Sequence, residues 1–190
     1  GLFILTSLLV CLPVNLIFFK IASISIFLVG ILSDKNIISS PKLRLFLQIS
    51  VIFFLVHFES LNIVRVNIGF IDYLLNINYF NYFLTIFCFA VLINGSNFLD
   101  GLNGLISGYF ILVLGSIFYI SNYHINLSNE IKDIINLLLI ITIIFYIFNL
   151  FGIVYLGDSG SYLLSISIGF ILIKMHQHTN FISPYYIANM

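Results

Sequence analysis

Long apolar runs, parted only by short polar or Gly/Pro stretches, fill most of this 190-residue chain and constrain its fold more than any other feature. A helix needs about 20 mostly apolar residues to cross a bilayer, and runs near that length occur at 16–32, 43–57, 78–93, 105–121, 133–151 and 161–175. A further run, 2–12, is short and ends at Pro13, so it reads as the tail of an earlier helix followed by a turn. Only 7% of the residues are charged and 61% are hydrophobic, whereas a soluble domain carries about 25% charged residues. Too few polar groups exist to cover a globule in water, so the solvent of this chain is lipid. The expectation is an all-α integral membrane protein with about six crossings, forming one transmembrane domain over 1–190. The chain starts at Gly rather than Met and stops without an obvious terminus, which reads as a fragment incomplete at both ends.

Several classes of function find no support. Lys and Arg together number 7 and so do Asp and Glu, leaving no basic excess to hold nucleic acid. Cys11 and Cys88 lie far apart inside apolar runs and read as packing residues. There is no GxxxxGK[ST], HExxH or GxSxG, which removes Walker-type hydrolysis, zinc proteolysis and elbow-type esterases. His176 and His178 have no Cys, Asp or Glu close by and read as solvated rather than metal-binding.

Over residues 61–72 the apolar period falls to two: Val64, Val66, Ile68 and Phe70 alternate with Arg65, Asn67 and Gly69. This predicts a small β-hairpin or an extended loop outside the membrane.

Three polar stretches break the apolar pattern: "SDKNIISSPK" (33–42), "NGSNFLDGLNG" (94–104) and "YLGDSGS" (155–161). Two crossings separate each from the next, so all three emerge on one face, bringing Asp34, Asp100 and Asp158 to the same side. His57, His124, His176 and His178 fall on the other. Lys35, Lys42 and Arg44 on the first face are balanced by Lys20, Arg65, Lys132 and Lys174, so charge alone does not orient the protein.

Asn97 and Asp100 stand three apart and share a surface if their segment is helical, while Gly101, Gly104 and Gly108 have the small-residue spacing of close helix contacts. In "GDSGS", Gly157 and Gly160 flank Asp158 and leave backbone N–H groups for an anion. The same letters also suit a glycine turn with Ser159 or Ser161 capping a helix. Carboxylate and amide oxygens beside a helix end suit Mg²⁺ with a diphosphate, because magnesium combines one or two carboxylates with phosphate oxygens.

With "NGSNFLDGLNGL" followed by "GDSGS", and "GILSDKNIISSPKLRLFLQ" ahead of both in the same order, the chain resembles the polyprenyl-phosphate N-acetylhexosamine-1-phosphate transferases, relatives of phospho-muramoyl-pentapeptide transferase. The resemblance implies a roughly ten-helix fold, of which this chain holds about six, and a site on the cytoplasmic face of the bacterial inner membrane. It implies transfer of a sugar 1-phosphate from a UDP-sugar to polyprenyl phosphate, with Mg²⁺ as cofactor and UMP released. Asp34, Asp100 and Asp158 would be catalytic, with Asp34 deprotonating or positioning the lipid phosphate and Asp100 arranging the metal or diphosphate. Asn97 and Asp158 would hold Mg²⁺, and Asn94, Asn97, Gly157, Ser159 and Gly160 would line the substrates.

The partners implied are the two substrates and the bilayer, with a homodimer left open. Where the family commonly has Asp-Asp, this chain has Ser33-Asp34, and the family's His-rich cytoplasmic motif would lie beyond Met190. An ion-coupled transporter and an inactive relative of the transferase are the rival expectations.

Overall fold

The computed structural model describes residues 4, 6, 16–99, 104–123 and 127–178. Among them are seven helices: α1 (Ile17–Asp34), α2 (Pro41–Phe58), α3 (Gly69–Leu75), α4 (Asn78–Leu99), α5 (Leu105–Tyr123), α6 (Asn129–Leu150) and α7 (Gly157–His178). All except the short α3 are long and apolar enough to cross a membrane, and no strand occurs among the described residues. The chain is an all-α integral membrane protein. In hydrocarbon each backbone N–H and C=O must be paired within its own segment, which selects the helix for every crossing.

Most of α7 is buried, with α1 on one side and α4 on another; α2 packs across α1 and α4, and α5 pairs with α6 while touching α7. The buried centre of α7 is rich in small hydroxyls, including Ser161, Ser165 and Ser167. Small residues let backbones approach: a Cβ at Gly30 of α1 would come within 2.3 Å of Ser159 Cα, and one at Gly169 within 2.6 Å of the Phe89 ring.

Helix ends are set by local chemistry. After α1, Asn36 takes φ 56°, its N–H bonds Ser33 O at 2.9 Å, and the Ile37 N–H reaches Leu32 O at 2.9 Å. That pair of bonds stops a helix by satisfying its last carbonyls from a left-handed residue. Ser60 after α2 and Gly152 after α6 do the same. Pro41 then opens α2 at a first-turn position where its missing N–H costs nothing.

Two features differ from the sequence reading. The polar stretch that opens at Asn94 does not end α4, which continues to Leu99. The Asn94 amide donates to Ala90 O at 2.8 Å and to Gln48 Oε1 at 3.0 Å, and the Ser96 hydroxyl donates to Ile93 O at 2.9 Å. Their polar groups are satisfied inside the helical frame, so nothing forces a break. Of the β-hairpin or extended loop expected over 61–72, the hairpin does not form: irregular chain leads into α3. Asn81 binds both the N–H (3.1 Å) and the C=O (2.8 Å) of Ile63, and Asp72 accepts from the Val66 N–H at 2.7 Å. Side chains satisfy the backbone groups that a partner strand would have taken. Alternation alone could not supply that partner.

Candidate active site

At the end of the molecule where α1 finishes and α7 begins, four helix termini meet. The last turn of α1 supplies Ser33 and Asp34, the first turn of α2 supplies Arg44, the last turns of α4 supply Asn94 and Asn97, and the first turns of α7 supply Asp158 and Tyr162. Ser33 and Asp34 are neighbours on a helix, about 100° apart around its axis, and they face different surroundings. Ser33 is buried and Asp34 exposed.

Asp158 is the centre of the cluster. Its Oδ2 accepts a hydrogen bond from the Ser33 hydroxyl, one from Arg44 Nη1 at 3.2 Å and one from the Tyr162 hydroxyl at 3.3 Å. Arg44 Nη1 also donates to Ser33 Oγ at 3.0 Å. All these donors gather on one carboxylate oxygen, and Oδ1 takes none of the three. The Asp158 side chain is 23% exposed and that of Arg44 31%, so the ion pair sits at the rim and not in the apolar slab.

Asp34 does something else. Its Oδ1 accepts from the Asp158 N–H at 2.8 Å and its Oδ2 from the Ser159 N–H at 3.1 Å. A carboxylate on the first N–H groups of a helix satisfies donors that have no partner within the helix and complements its positive end. It caps α7 from another helix. Gly157, at φ 66°, makes room: a Cβ there would stand 3.1 Å from both Asp34 oxygens. The Gly160 N–H goes to Leu156 O at 3.2 Å. The N–H groups that the sequence leaves for an anion are therefore taken by the chain's own groups. Ser159 and Ser161 lie inside α7 and do not precede it as caps.

Asn97 joins the site through Ser161, whose hydroxyl donates to Asn97 Oδ1 at 3.0 Å and to Asp158 O at 3.2 Å. Asn94 stands about one turn deeper in α4, against Gln48 of α2. Asp100 lies outside the described residues. Of the residues expected from the sequence, Asp34, Asn97, Gly157, Asp158, Ser159 and Gly160 come together here, with Asn94 alongside.

Sequence reasoning assigns no role to Arg44 or Tyr162. Arg44 stands there only as charge and as part of the quoted motif "GILSDKNIISSPKLRLFLQ", although Pro41 marks the start of its helix and places it in the first turn. Tyr162 was hidden in an apolar run, although its spacing of four from Asp158 puts both on one helix face.

A metal is testable against these donors. Asp158 offers one carboxylate oxygen clear of its three donors, and Asn97 offers an amide oxygen tied to the same turn of α7. Oxygen ligands of this kind fit Mg²⁺, which takes few protein ligands and completes its octahedron with water and phosphate. Among the described residues no group of three or more His, Cys, Asp or Glu gathers to hold a metal by itself.

A model of the family described as Glycosyl transferase family 4 matches residues 16–176. No curated protein and no solved structure matches the chain.

Proposed function

Since the chain belongs to glycosyl transferase family 4, whose members pass a sugar phosphate to polyprenyl phosphate, we propose that this one takes sugar 1-phosphate from a UDP-sugar, with N-acetylhexosamine as the sugar class. The observation that carries this reading is the meeting of Asp34, Arg44, Asn97 and Asp158 at one end of the helix bundle. A water-borne nucleotide sugar and a lipid phosphate can meet only at such an edge. On this reading that edge faces the cytoplasm from a bacterial inner membrane, a placement that the resemblance of the motifs supports.

In the reaction an oxygen of the lipid phosphate attacks the phosphorus that carries the sugar. The bond from that phosphorus to the bridging oxygen breaks, and UMP leaves with the electron pair. Asp158 and Asn97 would hold Mg²⁺, which when bound neutralises charge on the diphosphate. Arg44 supplies a fork of donors suited to phosphate oxygens, and its place on Asp158 puts it within a side-chain swing of anything bound there. The acceptor needs little help from a base: the second pKa of a phosphate monoester is about 6, so most of it is already dianionic at neutral pH. This suits a chain with Ser33 instead of a second carboxylate and with both oxygens of Asp34 engaged by backbone.

The test is transfer from UDP-N-acetylhexosamine to polyprenyl phosphate in membranes containing the protein, with Mg²⁺ or with EDTA. Lipid-linked diphosphate sugar should form only with the metal. Asp158→Asn should lower the rate by about a hundredfold or more, the scale on which removing one charge-stabilising group acts, with insertion unchanged. Full turnover in that variant removes Asp158 from the metal site.

A further inference from the structure

The carboxylate best placed for a metal is already neutralised. Oδ2 of Asp158 is held by Ser33, Tyr162 and the Arg44 guanidinium, the last at 3.2 Å. Asp34, the neighbouring acid, has both oxygens on backbone N–H groups of α7. Ser33, which faces Asp158 from α1, is a hydroxyl and brings no charge. A lone divalent cation approaching this cluster among the described residues meets one available carboxylate oxygen, with a fixed positive charge on the other oxygen of the same group. Repulsion from the guanidinium offsets much of the attraction that the carboxylate would otherwise exert on the cation.

We propose that the Arg44–Asp158 pair closes the site to a free divalent cation, so that the metal is held only together with a diphosphate. This deepens the transferase reading and rests on it. The diphosphate brings the negative charge that the protein lacks. Arg44 can turn from Asp158 to phosphate oxygens, for which its planar fork is suited, and that leaves Asp158 to the metal. One neutral arrangement is exchanged for another. Ser33 is what makes the exchange possible: a carboxylate at that position would face Asp158 directly and give a free cation two acidic groups.

The experiment titrates the purified, detergent-solubilised protein with Mn²⁺, following bound metal by electron paramagnetic resonance with and without UDP. Wild type should bind Mn²⁺ weakly alone, and UDP should bind measurably only when Mn²⁺ is present. Arg44→Gln and Ser33→Asp should each tighten binding of Mn²⁺ alone by about tenfold or more, a shift of about 1.4 kcal/mol in binding free energy. Gel filtration checks that each variant is folded, and Ser33→Asp carries the test if Arg44→Gln does not fold. Wild type that binds Mn²⁺ as tightly without UDP as with it overturns the inference, as does unchanged affinity in the folded variants. If that happens while wild type still makes lipid-linked product, the transferase reading stands. Loss of both metal-dependent UDP binding and product removes the reading together with the inference.

Discussion

Asp34 and Asp158 are the same amino acid at facing helix ends, and their partners divide the work between them. Asp34 spends both oxygens on the opening N–H groups of α7, while Asp158 collects side-chain donors on one oxygen. Asp34→Asn should therefore act mainly on stability, costing about 1 kcal/mol as a weakened helix cap, with metal-dependent transfer kept within about tenfold. Thermal unfolding in detergent and the transfer assay read the two effects separately. A hundredfold loss of activity at unchanged stability would return Asp34 to the role of base. The sequence made the nearness of these two acids legible, because counting crossings brings their segments to one face. It could not show that Ser33 rather than Asp34 faces Asp158, since neighbouring residues on a helix differ by a rotation that only packing fixes. The approach of Gly30 to Ser159 is what sets that rotation here.

The six spans were readable as elements because lipid leaves a 20-residue apolar run few alternatives to a helix. Their ends were not. Helix α4 runs through Asn94 and Ser96, and α7 starts at Gly157, because side-chain hydrogen bonds decide such boundaries and hydropathy does not register them. Over 61–68 the alternation is real, but the side chains of Asn81 and Asp72 take the place of a partner strand, so the loop forms and not the hairpin. The α5–α6 hairpin shows how one amide can tie an element in place. Buried Asn149 accepts from the Gly104 N–H at 2.7 Å and the Ser107 hydroxyl at 3.1 Å, and donates to Val154 O at 2.8 Å. Asn149→Ala would strand those groups away from water, and the expected cost is about 2–4 kcal/mol, from one or two unsatisfied buried groups. Unfolding by heat or by a denaturing detergent should show it, and a change below about 0.5 kcal/mol would mean that water or lipid headgroups replace the amide.

Across the whole molecule the two ends carry different chemistry. The site lies at one, and at the other Lys174 bonds Glu59 O at 3.0 Å, Gln177 bonds Ser60 O at 2.9 Å, and His176 Nε2 accepts from the Arg65 N–H at 3.2 Å. Labelling can test that polarity. With Cys11 and Cys88 replaced, a cysteine at Lys35 and one at Val64 should react with a membrane-impermeant thiol reagent from opposite sides of sealed vesicles. Reaction from the same side would mean that α2, the helix between them, does not cross the membrane. Asp34 and Asp158 at the ends of unbroken helices also sit badly with a transport path, which calls for interrupted helices and charges near the midplane.

The serine-rich course of α7 bears on how such a protein is made. Of the six spans its composition is among the least apolar, and its hydroxyls Ser161, Ser165 and Ser167 lie buried against neighbouring helices and away from lipid. A segment of that kind is a poor guest for bare hydrocarbon and settles best among hosts already embedded. Both of its principal hosts, α1 and α4, leave the ribosome before it does, so the order of synthesis prepares the cradle before the occupant arrives.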